Sequence, residues 1–300
     1  MAAKQVLLLP LTSTHSSDPT VDLISGSAFV NSMGSWALSS SGGTVYADSY
    51  SKTIHDMSHI DINMPAEFNV NSSDYCIEFW ANVPSNVSSS NQMKCLLWLG
   101  DATAINYTNF IYLAQYSYDG SPRLWAGATK SSGFEAVESV GLPAPAQWHH
   151  YAITVGSNNL FSLFLNGVFV GSKTIAMNGI ASKKFRLHIG SDPSTYPSEN
   201  KNIAASFQDI CITIGTKKYT SNFTPPDRLS GLMQSTVIRA DGLTPNPYVL
   251  IRSKESLVTK KITPNLLGEW STLVEKQVEY DVSYFADGLA PQIHAFYSVD

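Results

Sequence analysis

The chain has 300 residues, of which 14% are charged and 11% aromatic, with a formal net charge of −5. An average soluble domain carries about 25% charged residues, and here Ser, Thr, Asn and Gly take up the difference. The aromatic content excludes a disordered chain, and the acidic balance excludes an electrostatic nucleic-acid binder, which needs a basic footprint.

The N-terminal MAAKQVLLLPLTSTH holds one Lys and an apolar run of only Val6 to Leu11. That is short of the roughly 7–15 apolar residues of a secretory h-region, so no signal peptide is expected. Nothing approaches the roughly 18 apolar residues of a membrane helix, and no membrane insertion is expected. The sequons at Asn71, Asn86, Asn106 and Asn222 are then ordinary products of a Ser-rich chain. Helical periodicity is almost absent. Short runs rich in β-branched and aromatic residues follow one another instead, separated by turn signals, which predicts an all-β sandwich.

The predicted strands are Cys76–Val83, Lys94–Leu99, Phe110–Tyr118, His149–Val155, Leu160–Leu165, Val168–Gly171, Phe185–Ile189 and Phe207–Ile214. Ser85–Gln92, Asp119–Pro122 and Asp192–Asn202 are polar and read as surface loops. Asn166-Gly167 lies between LFSLFL and VFVG. Both central residues of a type I′ turn need φ > 0, so these two strands are predicted antiparallel neighbours. The pattern stops at Thr224-Pro225-Pro226, which places a boundary near residue 230. Beyond it, runs at Ser235–Arg239, Tyr248–Arg252, Leu257–Thr263, Trp270–Leu273, Val278–Phe285 and Ile293–Tyr297 form a smaller β unit.

Several segments resemble laminin G-like domains with a concanavalin A-type jelly roll, of the kind found in bacteriophage tail and other virion proteins. Tyr75–Trp80 (YCIEFW) resembles the family's "FTIEFWV" strand, and Gln147–Thr154 (QWHHYAIT) its "W-H-H-I-A-V-T" strand. Leu160–Gly171 (LFSLFLNGVFVG) resembles its Asn-Gly hairpin. Leu187–Gly190, Phe207–Ile214 and Tyr219–Pro226 (YTSNFTPP) resemble its closing run. Two places depart: the first strand reads Leu8-Leu9-Pro10-Leu11, and the closing run has Gln208-Asp209 where the family carries paired acids. The C-terminal part resembles a small phage-type β-sandwich through Leu250, Arg252, Leu257-Val258, Thr263, Gly268, Trp270, Tyr280, Val282, Tyr284, Pro291 and Ile293. The resemblance implies an all-β protein. Residues 1–229 would form a concanavalin A-like jelly-roll sandwich of antiparallel sheets, and residues 230–300 a smaller β-sandwich domain.

The jelly roll also hosts glucanases, which set Glu-x-Asp-x-(x)-Glu on one strand face. Here Glu78 is followed at i+2 by Trp80 and at i+4 by Asn82, and Glu135 and Glu138 point to opposite faces if extended. Glu275 and Glu279 share a face without an intervening Asp. No catalytic residues are assigned, and no enzymatic activity is expected. His149 and His150 are adjacent and face opposite ways on a strand, so they read as packing residues rather than metal ligands. His15, His55, His59, His188 and His294 are scattered, and no metal ligand is assigned among them. The three cysteines, Cys76, Cys95 and Cys211, have no zinc or disulfide spacing and read as buried free thiols. Calcium is the cofactor the resemblance raises. Asp101, Asp119 and Asp192 at loop edges supply one carboxylate per loop, against the six to eight oxygens calcium takes, and no ligand is assigned.

Aromatic residues are the remaining candidates. In FIYLAQYSY, Ile111 and Leu113 share a face, which leaves Tyr112, Tyr116 and Tyr118 on the other, and Trp125 follows the Asp119–Pro122 turn. Exposed Tyr and Trp rings offer a flat face for sugars together with a polar handle. The same face also suits packing against another sheet or a neighbouring subunit.

The resemblance implies a non-enzymatic virion protein, made in the host cytoplasm. It would be a tail fibre, tail tip or baseplate component that contacts other virion proteins or host-surface glycan, and a homo-oligomer in the particle. Alternatives are a stand-alone bacterial carbohydrate-binding module and a capsid head fibre or decoration protein.

Overall fold

The computed structural model describes the backbone of residues 4–9, 30–31, 36–39, 49–52, 60–63, 74–88, 92–101, 110–117, 119–130, 133–156, 158–175, 185–189, 203–226, 230–236, 248–253, 259–262, 269–275, 279–285 and 292–298. Tyr118, the loop Asp192–Asn202, and His15, His55, His59, Asn71 and Asn106 lie outside these residues.

The described chain contains strands and no helix. The first five strands are β1 (Lys4–Leu9), β2 (Val30–Asn31), β3 (Trp36–Ser39), β4 (Ser49–Lys52) and β5 (Ile60–Asn63). They are followed by β6 (Tyr75–Asn82), β7 (Gln92–Asp101), β8 (Phe110–Ser117), β9 (Arg123–Lys130) and β10 (Gly133–Glu138). Then come β11 (Trp148–Val155), β12 (Leu160–Leu165), β13 (Val168–Thr174), β14 (Phe185–Ile189) and β15 (Ala205–Ile214). The series ends with β16 (Ser230–Thr236), β17 (Tyr248–Ser253), β18 (Thr259–Ile262), β19 (Glu269–Glu275), β20 (Glu279–Phe285) and β21 (Gln292–Ser298).

One antiparallel sheet runs β13-β12-β11-β6-β15-β4-β3, with β1 also paired to β15, and a second runs β10-β9-β8-β7-β14-β5-β2. Alternation decides which side chains meet between them. Ile77 and Phe79 of β6, Ile153 of β11 and Ile212 of β15 point inward from the first sheet. Leu97 of β7, Leu113 of β8 and Ala126 of β9 answer from the second. The Phe79 ring stacks on Tyr151 with centroids 5.4 Å apart and lies 6.0 Å from Phe207. Each fully buried Leu, Ile or Phe contributes roughly 1.5–3 kcal/mol, so this interlayer core holds the two sheets together.

The Asn166-Gly167 hairpin forms as predicted, with φ of 51° and 75°, and joins β12 to β13 as antiparallel neighbours. In β15 the predicted strand is present but not regular. Between Gln208 and Cys211 its register against β6 slips, and Asp209, buried with φ 48°, is the extra residue of a bulge. The Leu8-Leu9 segment, despite its departure from the family pattern, forms β1 and pairs with Ile210–Ile214 of β15.

Six strands have no counterpart among the predicted runs: β2 to β5, β9 and β10. β9 (RLWAGATK) and β10 (GFEAVE) are rich in Gly and Ala and lack the β-branched signal. The run expected at Ser235–Arg239 overlaps β16 (Ser230–Thr236), which pairs along its length with β19, and residues 237–239 lie outside the described residues. β18-β17-β20-β21 form a further antiparallel sheet. Among the described strands, those from Ser230 onward pair only with one another.

Candidate functional site

On β8 the alternation holds: Ile111 and Leu113 enter the core, while Tyr112, Ala114 and Tyr116 turn to the face away from it. Tyr116 pairs with Arg123 of β9, Ala114 with Trp125, and Trp125 in turn with Glu138 of β10. Paired residues share a face, so Tyr116, Arg123, Trp125 and Glu138 gather at the end of the sheet beside the Asp119-Gly120 turn. Tyr116 and Trp125 are both half-buried, with ring centroids 4.3 Å apart and planes at 57°.

Tyr112 requires a correction. It is fully buried, its hydroxyl donates to Glu135 O at 3.4 Å, and Phe134 packs edge-on against its ring. Burial pushes its phenol well above the usual range. It packs beneath the face with Cys95, Ala114 and Ala136 and has no ring surface to offer a sugar. Gly127, across from Tyr112, is required by crowding, because a Cβ there would lie 1.9 Å from Glu135 O.

Charged groups border the exposed rings. Arg123 donates from Nη1 to Glu138 Oε2 at 2.9 Å and from Nη2 to Asp119 Oδ2 at 3.1 Å. Asp119 Oδ1 accepts the Ser121 N–H at 2.9 Å, closing the turn. That N–H, together with the Arg123 charge, holds the Asp119 carboxyl below its usual range. The Glu138 hydrogen bond and the Asp119 charge hold the Arg123 guanidinium above its own. Both Asp119 oxygens are thus engaged, and among the described residues no group of three or more His, Cys, Asp or Glu gathers to hold a metal. Asp192 lies outside the described residues. Among the described residues the donors around Asp119 fall short of the six to eight oxygens that calcium takes.

A second polar centre lies on the far side of the sandwich. Glu78 on β6 faces away from the core, yet residues 215–226 fold across it and bury it completely. Lys218 Nζ donates to Oε1 at 2.6 Å and the Tyr219 hydroxyl to Oε2 at 2.7 Å. His150 Nε2 lies 3.3 Å from Oε2. Burial alone would raise the Glu78 carboxyl, but the His150 contact and the Lys218 charge outweigh it and hold the group below its usual range. Burial works against the Lys218 ammonium, and Glu78 overcomes it, so that amine is held above its ordinary value.

The covering segment is pinned along its length. Thr154 Oγ1 donates to Tyr219 O at 3.4 Å, Phe223 N to Gly167 O at 2.9 Å and Trp80 Nε1 to Pro226 O at 3.2 Å. The Tyr219 and Phe223 rings stack at 3.5 Å, and Phe223 meets His150 edge-on.

The two histidines do face opposite ways. His149 Nδ1 accepts from Asn166 Nδ2 at 2.9 Å, and its Nε2 donates to Ala144 O at 2.8 Å. His150 lies under the covering segment. Sequence reasoning assigned no role to Lys218 and Tyr219. The available signal was the Tyr219–Pro226 run itself, a motif without strand periodicity.

The profile of the concanavalin A-like lectin/glucanases superfamily matches residues 56–212. The chain belongs to this superfamily. No curated protein matches it by sequence. Domain 4 of AbnA, an extracellular GH43 arabinanase from Geobacillus stearothermophilus solved in complex with arabinotriose, is similar in fold. It has 16% identity and a TM-score of 0.50 over 72% of this chain and 94% of that one. The binding domain of Paraclostridial Mosquitocidal Protein 1 has 14% identity and a TM-score of 0.50, over 93% and 75% of the two chains. In this concanavalin A-like protein the matched span ends within β15, so Lys218 and Tyr219 come from residues beyond it.

Proposed function

We propose that this concanavalin A-like protein is a non-enzymatic glycan-binding protein of a phage particle, a tail fibre, tail tip or baseplate component that engages host-surface glycan. The observation that carries the reading is the half-exposed Tyr116–Trp125 ring pair beside Arg123, Asp119 and Glu138, on a sheet face whose neighbouring aromatic, Tyr112, is sealed. A sugar presents an apolar C–H face to stack and hydroxyls to pair, and this end of the sheet offers both complements. Support for a non-enzymatic role comes from Glu78, whose carboxylate is buried and held by Lys218 and Tyr219. The place in a virion rests on the laminin G-like motifs, including the YTSNFTPP run. In this reading residues 1–229 are the recognition domain. Residues 230–300, as a small β-sandwich, mount it among other virion proteins, with copies of the chain forming a homo-oligomer.

Binding to a glycan array, repeated with Tyr116→Ala and Trp125→Ala, tests the binding role: wild type binds and both variants lose the signal. Failure of wild type to bind any glycan overturns it. Mass spectrometry of purified particles tests the placement, and absence from the virion overturns that part.

A further inference from the structure

We infer that the Tyr116–Trp125 site selects neutral sugars and rejects acidic ones, because Arg123, its cation among the described residues, is flanked by two carboxylates; this rests on the glycan-binding reading above. Arg123 is the cation that the site places beside the two rings, and its guanidinium is held on one side by Glu138 Oε2 at 2.9 Å and on the other by Asp119 Oδ2 at 3.1 Å. Capture of a sugar carboxylate by arginine depends on a planar pair of N–H groups presented together. Here Nη1 and Nη2 each give one N–H to a protein carboxylate, and the two negative charges flank the approach to the donors that remain.

The charge count points the same way. Among the described residues one guanidinium stands against two carboxylates, a balance of one negative charge. A uronate or sialate bound there would meet repulsion from Asp119 and Glu138, with side-chain exposures of 52% and 40%, in a region where salt screens over about 10 Å at 0.1 M. A neutral pyranose meets no such penalty. Its hydroxyls both donate and accept. A guanidinium with five N–H donors and carboxylates with about four acceptor sites each retain capacity after the contacts named. Selectivity thus arises from a repulsive element built beside the attractive one.

The geometry also keeps the ion triad in place without a ligand. Asp119 is fixed by the Ser121 N–H within its own turn, and Glu138 sits opposite Trp125 by strand register. Arg123 is therefore bracketed by a hydrogen-bonded turn on one side and a paired strand on the other.

The experiment compares binding of the full chain to matched pairs of oligosaccharides, a neutral hexose oligomer and its uronate- or sialate-bearing counterpart, at low and moderate salt. Wild type is expected to favour the neutral member by at least about tenfold at low salt, with the gap narrowing as screening increases. The Asp119→Asn/Glu138→Gln double variant leaves Arg123 with no carboxylate partner, and its preference is expected to shrink or invert. The single Glu138→Gln variant gives the same direction at smaller size and serves where the double variant unfolds. Equal or tighter wild-type binding of the acidic member, or an unchanged preference in both variants, overturns the selectivity while leaving glycan binding standing. Absence of wild-type binding to every member overturns both readings together.

Discussion

The Tyr219 hydroxyl donates to Glu78 Oε2 at 2.7 Å, linking residues 141 apart in sequence. The contact ties the segment that follows the last strand of the sandwich to a carboxylate on β6. Because Glu78 is buried, the removal of one donor is not made good by water. Tyr219→Phe is expected to cost about 1.5–3 kcal/mol, the range for hydrogen bonds to charged groups. Denaturant unfolding of the variant beside wild type measures it, and an unchanged midpoint would show that the segment's other contacts hold it without this bond.

The same carboxylate sets an acid limit. Glu78 is held below its ordinary range, so its contribution is complete above the unfolded-state value near pH 4.3 and lost as pH falls through the lower folded value. The stability gap between wild type and Glu78→Gln is therefore expected to be constant near neutrality and to close between about pH 4.3 and the folded value. Lys218 works in the opposite sense. Its raised folded value keeps its contribution intact below about pH 10.4, and that contribution is lost as pH rises through the folded value. Unfolding curves at a series of pH values give both slopes.

Asn166-Gly167 serves more than the turn. Asn166 Oδ1 accepts from His150 N at 2.9 Å while its Nδ2 donates to His149, and a Cβ on Gly167 would lie 1.9 Å from Phe223 O. Asn166→Gly keeps the positive φ but removes both side-chain bonds, with an expected loss of about 1–2 kcal/mol. Gly167→Ala adds backbone strain at φ 75° and pushes on the covering segment, so its loss is expected to be the larger. Thermal melts of the two variants give the order, and equal losses would separate the turn from the covering segment.

The alternation that shapes both faces was readable from the sequence, and so was the hairpin, because Asn-Gly and a period of two are local signals. Even the β15 bulge left a trace. Its inward residues Phe207, Ile210, Ile212 and Ile214 are spaced three, two and two, and the extra step falls at Asp209. What could not be read was long-range. Nothing local marks Lys218 as the partner of Glu78, since a Lys in a Thr-Lys-Lys-Tyr turn reads as a solvated charge. Tyr112 and Tyr116 look equivalent on one strand face, and only the position of Phe134 and the crowding at Gly127 separate the sealed ring from the half-open one. β9 was missed for the same reason: its Gly and Ala residues satisfy close packing rather than strand propensity.

Cys76, Cys95 and Cys211 are all thiols outside any disulfide, and all are buried. Burial and the neighbouring Glu78 charge push the Cys76 thiol well above its usual range, which suppresses the reactive thiolate. Aromatic disulfide reagent is expected to label none of these thiols in the native protein and all three after denaturation. Rapid native labelling of Cys76 or Cys211, both beside Glu78, would mean that the covering segment opens on the timescale of the reaction.

Tyr151 supplies the counterpart to Tyr219. Its ring packs on Phe79 in the interlayer core, but its hydroxyl is buried with no hydrogen-bond partner among the described residues. A buried polar atom left unpaired costs about 1–3 kcal/mol, and Phe preserves the ring contact with little change in volume. Tyr151→Phe is therefore expected to leave stability unchanged or raise it by up to about 1 kcal/mol, while the chemically identical change at Tyr219 lowers it. Denaturant midpoints of the two single variants make the comparison. Loss of stability at Tyr151 comparable to that at Tyr219 would require a partner for its hydroxyl and would refute the contrast drawn between the two tyrosines.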